Sequence, residues 1–199
     1  IKALQQVIYH ERRSLILLDR ARQFLKEDEL SQAFDALQSL LGDPQELLSP
    51  PHDWTRAPSD SFYLADRRLR SVRHEAQQIF ESLTDDQLSF YEQKYSDVAN
   101  SALQVARESG RSAAYLEIAR RCFPTLAGAQ ATDEAATRLL DRGHAAIAAK
   151  LWLRIVRSKV HRQRLHPRLF EKAAIALFLS GDQQQARQVI ADAERIFGT

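Results

Sequence analysis

The chain has no methionine, a single cysteine, and only six glycines and six prolines in 199 residues. One cysteine cannot close an internal disulfide, so the fold must be held by packing, and both the cytoplasm and an envelope compartment stay open. No stretch approaches the ~20 apolar residues of a membrane span, and the first residues carry no signal-peptide pattern. Runs alternating Val, Ile and Thr are missing, which argues against an all-β or α/β fold. The glycines are scattered singly, and even the nearest two, Gly128 and Gly143, are too far apart for a glycine-rich phosphate loop. A chain that starts at Ile1 without methionine is expected to be a processed product or part of something longer.

What remains is helix periodicity punctuated by glycine. Gly42, Gly110, Gly143, Gly181 and Gly198 each follow an apolar-periodic run. The clearest unit is Pro167 to Phe197. Phe170, Ala173, Ala174 and Leu177 fall at i, i+3, i+4 and i+7, one face of a helix. Gly181 supplies the left-handed turn and Asp182 an N-cap for the next helix. Ala186, Val189, Ile190 and Ala193 form the second face. The small residues Ala174 and Ala186 allow close backbone approach.

The same offsets recur around Gly143, with Ala136 and Leu139 before the turn and Ala148, Trp152 and Ile155 after it. Near the start, Leu17, Ala21, Phe24, Ala33, Leu37 and Leu40 fit a degenerate copy, with Glu29 at the turn position. A further pair turns at Gly110, but Tyr115 there occupies the small-residue position while Ala106 and Ala119 occupy bulky ones. A large residue at a tight crossing costs about 1–3 kcal/mol unless its partner shrinks.

This order of bulky, small, bulky, glycine and alanine resembles a tetratricopeptide repeat. A single helix pair cannot bury its own apolar face, so stacking is implied. The expectation is an all-α chain of antiparallel helix pairs stacked as a tetratricopeptide-like right-handed α-solenoid. Its units span about 12–41, 61–95, 96–123, 125–158 and 167–197, in one helical-repeat domain over 1–199. Within it, a helix is expected to start at Ser61, a capping box at Thr84 to Gln87 to open the next, and a kink to fall near Ser96. Residues 42–60 hold four of the six prolines and read as an irregular loop.

A narrower resemblance covers Phe90 to Val156. The segments YEQKY, ARRCFPTLAG and DRGHAAIAAKLW resemble the helical-repeat region that precedes a quinoprotein-type β-propeller in large bacterial envelope proteins. That resemblance implies a periplasmic or envelope location, with the cytoplasm as the alternative, and a propeller downstream. These 199 residues hold no propeller strands and no tryptophan-docking blade motifs, so a quinone cofactor does not carry over, and no cofactor is expected.

Candidate chemistry is sparse. Cys122 sits at helical spacing from Ile118 and Ala119 and reads as a buried small hydrophobe rather than a redox thiol. The histidines at 10, 52, 74, 144, 161 and 166 show no metal-binding spacing; His161 and His166 read as solvated loop residues. Asp85 and Asp86 suit a helix first turn. Trp54, inside the proline-rich loop, reads as a core plug or a partner contact.

Charge is uneven only in the last third. Lys150, Arg154, Arg157, Lys159, Arg162, Arg164, Arg168 and Lys172 face the single Glu171, in a chain whose net charge is +2. Arg154, Arg157, Arg162, Arg164 and Arg168 are therefore candidate contacts for an anionic partner, or else a solvated rim. Nucleic acid is not expected, because no aromatics interleave with them.

The function these features point to is a non-catalytic interaction scaffold for a protein, a peptide or a downstream domain of the same chain, not an enzyme. Two alternatives stand beside it: the substrate-presenting superhelix of a cell-wall glycan enzyme, and an RNA-binding helical repeat.

Overall fold

The structure is a computed structural model that describes residues 2–49, 62–65 and 68–198, with side-chain surroundings described for 13–49 and 70–198. The described residues are nearly all helical. The order is α1 (Lys2–Lys26), α2 (Leu30–Leu41), a 3-10 helix (Pro44–Leu48), β1 (Phe62–Ala65), β2 (Arg68–Ser71), α3 (Val72–Ser82) and α4 (Asp85–Ser109). Then follow α5 (Ser112–Arg121), α6 (Leu126–Asp141), α7 (Ala145–Arg157), a second 3-10 helix (Lys159–Arg164), α8 (Pro167–Leu179) and α9 (Gln183–Phe197).

Helices adjacent in the chain pack pairwise. α1 lies on α2, and from α5 to α9 each helix packs on the next, while α4 leans on α5 and α6. The apolar faces merge into three successive clusters. The first joins Leu18, Ala21, Phe34, Leu37 and Leu40 to Phe80 and Tyr91. The second joins Leu103 and Tyr115 to the alanines of α4 and α6. The third surrounds Trp152, Phe170 and Leu177.

Three of the turns share one end bond, from the N–H after the left-handed residue to the carbonyl five residues back, and two of them add a second. At the last, the Asp182 N–H donates to the Leu177 carbonyl at 2.9 Å and the Gly181 N–H to that of Phe178 at 3.0 Å. At the one before, His144 donates to Leu139 and Gly143 to Leu140, both at 2.8 Å. These are the paired end bonds of a helix terminated by a left-handed residue, with φ of +90° at Gly181 and +82° at Gly143. At the α1–α2 turn the left-handed residue is Asp28, φ +59°, and the Glu29 N–H reaches the Phe24 carbonyl at 2.8 Å.

The turn position of the first unit is thus Asp28, one residue before the expected Glu29. With that correction the three units share a register. Ala21, Ala136 and Ala174 each lie seven residues before the left-handed residue, and Ala33, Ala148 and Ala186 each lie five after it. All six are buried. Alanine at both positions lets the two helices of a pair touch backbone to backbone near the turn.

The turn at Gly110 is different. Its N–H bonds the Ala106 carbonyl at 3.0 Å, a single end bond. Tyr115 is fully buried there because its neighbours have shrunk: Ala99, Ala102, Ala106, Ala131 and Ala135 share its cluster.

Several local expectations change. The helix expected from Ser61 is instead an antiparallel hairpin, Phe62 opposite Ser71 and Leu64 opposite Leu69, and the helix begins only at Val72. No strand beyond this hairpin occurs among the described residues. α4 runs as one helix through Ser96, so the boundary drawn between 95 and 96 falls mid-helix. The capping box is present, with the Gln87 N–H on Thr84 Oγ1 at 3.3 Å and the Thr84 N–H on Gln87 Oε1 at 3.0 Å. The 42–60 loop opens with the Pro44–Leu48 3-10 helix, capped by the Asp43 carboxylate accepting from the Gln45 N–H at 2.9 Å. Residues 50–60, including Trp54, lie outside the described residues.

Candidate binding site

The basic stretch separates into two populations. Arg154 is turned to the interior. Its Nη1 donates to the Ala119 carbonyl at 2.9 Å, and its guanidinium carbon stands 3.7 Å from the centre of the Phe123 ring. That stack is a cation–π contact. Burial, and next the nearby Arg73 charge, lower its pKa to about 10. Arg164 pairs with Glu92 at 2.8 Å, and the same carboxylate accepts the Leu126 N–H at the start of α6. Lys172 pairs with Asp133 at 2.7 Å. Each of these three cations makes a contact between elements of the fold, Arg154 from the interior and Arg164 and Lys172 from partly exposed positions. Arg157, Arg162 and Arg168 are exposed.

His161 corrects another expectation. It is fully buried, not solvated. Its Nε2 lies 2.8 Å from the Phe123 carbonyl. A carbonyl can only accept, so Nε2 carries the hydrogen. Nδ1 faces Arg164 Nη1 at 3.5 Å and the ring meets Phe123 edge-on. Burial, with Arg164 next, pulls its pKa down to about 4. The imidazole is a neutral pin between the Lys159–Arg164 helix and the α5–α6 turn. Cys122 is buried as expected, and burial pushes its thiol up to about 12.

A groove of about 1060 Å³, not anticipated from sequence, opens between α2, the Pro44–Leu48 helix and α4. Its floor is a hydrogen-bond network. Tyr91 Oη donates to Gln38 Oε1 at 2.6 Å, and Gln38 Nε2 donates to the carbonyls of Gly42 at 2.8 Å and Arg121 at 3.2 Å. The Arg121 side chain, 0% exposed, bonds the Asp43 carbonyl at 2.8 Å and the Glu46 carboxylate at 2.7 Å. With every one of these buried groups paired, the floor is rigid.

On the α4 wall Tyr95 Oη donates to Asp35 Oδ1 at 2.7 Å, and Lys94 reaches the same carboxylate at 2.7 Å. Burial first, then the bond to Asp35, raises the Tyr95 pKa, so its hydroxyl stays a donor. At the rim, Arg13 and Asp97 have no ion pair among the described residues, and Arg13 is exposed. Asp35, Lys94 and Asp97 escape sequence reading because α2 and α4 are distant in the chain and meet only in the fold. Only Asp43 before Pro44 leaves a local signal, as a turn start.

No group of three or more potential metal ligands occurs among the described residues, and no described helix is long and apolar enough to cross a membrane. No family model, curated protein or solved structure matches the chain.

Proposed function

We propose that this protein is a non-catalytic interaction module of the tetratricopeptide-like kind, and that the groove between α2, the Pro44–Leu48 helix and α4 holds an extended polypeptide. The shared alanine register at the turns of Asp28, Gly143 and Gly181, with consecutive packing of α5 to α9, supports the repeat reading; the right-handed sense of the stack is part of the proposal.

The observation that carries the binding reading is the make-up of the groove. Pockets for small molecules are mainly apolar. This one is lined by Asp35, Gln38, Ser39, Gln45, Lys94 and Asp97 beside Pro44, Tyr95 and Val98, polar and apolar surface in about equal measure. An extended peptide presents a donor and an acceptor on nearly every residue, and such a lining can answer both. Rigid walls lower the entropy lost on capture.

Peptide display selected on the wild-type protein and counter-selected on Ser39→Trp, which fills the groove, tests the reading. Enriched peptides should bind the wild type and lose affinity for both Ser39→Trp and Asp97→Lys. Peptides that bind all three proteins equally would remove the groove from the account.

A further inference from the structure

We infer that a second surface, formed by the end of α7, the Lys159–Arg164 helix and the first turn of α8, docks an acidic polypeptide segment. This does not rest on the groove reading, since the two sites share no residue. Once Arg154, Arg164 and Lys172 are assigned to internal contacts, Lys150, Arg157, Lys159, Arg162 and Arg168 remain, all exposed and without an ion pair among the described residues, and the last four fall within residues 157–168. Arg157 and Lys159 have a structural reason to be where they are: they sit at the negative end of α7. Arg162 likewise lies in the last turn of the Lys159–Arg164 helix, whereas Arg168 has no such reason.

Arg168 is placed against its own helix. It is the second residue of α8, where the positive end of the dipole disfavours a cation, and no acidic residue offsets it in that turn. His166, at the N-cap, contributes no side-chain cap. Three carboxylates of neighbouring elements are engaged: Glu92 with Arg164, Glu81 with Ser158 Oγ and the Lys159 N–H, and Asp85 with the Gln163 amide; on α8 itself the exposed Glu171, three residues on, is the one acid placed beside Arg168. An arriving carboxylate would offset the Arg168 charge at this helix end beyond what the lone Glu171 supplies.

The surroundings select among anionic partners. A lipid surface calls for apolar side chains beside the cations, but Val160 and Leu165 are half-buried and Leu169 is buried. Single-stranded nucleic acid calls for stacking aromatics, and residues 157–168 include none. An acidic polypeptide needs neither.

Fluorescence anisotropy with a fluorescein-labelled, glutamate-rich peptide tests this. Binding to the wild type should saturate and weaken as salt rises. The variant R157E/R162E/R168E should raise Kd about tenfold or more and R168E alone about threefold, while K150E, the same charge change as R168E but two turns back from Arg157 on α7, should leave it unchanged. Circular dichroism should show the triple variant folded, since these side chains are exposed; R162E and R168E alone serve if it is not. Equal loss with K150E and with R168E would reduce the effect to net charge and overturn the site. Tighter binding of single-stranded RNA or of phosphatidylserine vesicles, or no saturation, would also overturn it.

Discussion

The indole Nε1 of Trp152 donates to Asp133 Oδ1 at 2.7 Å, and Lys172 Nζ meets both oxygens of the same carboxylate, at 2.7 and 2.8 Å. One side chain of α6 thereby fastens α7 and α8. Trp152 is fully buried, so its N–H has no water to turn to. Asp133→Ala should cost about 1–3 kcal/mol, mostly from the unpaired indole. Lys172→Met should cost less than about 1 kcal/mol, because that pair is partly exposed and screened. Urea denaturation of the two single variants and the double variant separates these contributions. Equal costs for the two would contradict the assignment.

Asp28 holds a left-handed conformation that the equivalent Gly143 and Gly181 adopt without a Cβ. Aspartate tolerates this region better than most residues, but not freely. Asp28→Gly should therefore raise stability by about 0.5–1 kcal/mol, read as a higher denaturation midpoint. Gly143→Asp should lower it by a similar amount. A destabilised Asp28→Gly would mean that this side chain makes a contact outweighing its backbone strain.

The helix pairs are legible in the sequence because alanine and glycine recur at fixed offsets, and packing honours those offsets. The first turn reads one residue late because no glycine marks it. The hairpin escapes for a related reason: Leu69, Val72, Ala76 and Ile79 keep a helical spacing, which draws β2 into the helix that follows it. The internally engaged cations are invisible because their partners are distant in the chain. Arg154 of α7 meets Phe123 beyond the end of α5, and Arg164 meets Glu92 of α4, while composition records only the charge. The groove follows the same rule, since its walls come from α2 and α4.

Gly128 is a glycine for reasons of space. It lies in the first turn of α6, its N–H on Thr125 Oγ1 at 3.0 Å, and an added Cβ would collide with the Cys122 carbonyl and come within 2.8 Å of Phe123 Cα. Both obstacles are backbone and cannot swing aside. Gly128→Ala should lose at least the ~1–3 kcal/mol of an overpacked site. Gly110 has φ +63° and open space around it. Gly110→Ala should lose only about 1 kcal/mol. Thermal unfolding of the pair gives the order, and a Gly110→Ala protein less stable than Gly128→Ala would reverse the argument.

His161 should make the fold sensitive to acid. Its folded pKa is depressed to about 4 from an ordinary value of 6.5, by burial first and then by Arg164, with Arg154 adding to it. Between those values the unfolded chain binds a proton that the folded one refuses, so stability rises with pH across the window. The contribution is complete above about pH 6.5 and is lost as pH falls toward 4, by up to roughly 3 kcal/mol. His161→Gln keeps a donor for the Phe123 carbonyl and removes the titration. Urea midpoints between about pH 7 and pH 5, above the range where carboxylates dominate, should fall for the wild type and stay nearly level for His161→Gln. An NMR titration placing the His161 ring at its ordinary value, or parallel slopes for the two proteins, would show that the imidazole is not the buried neutral pin its contacts describe.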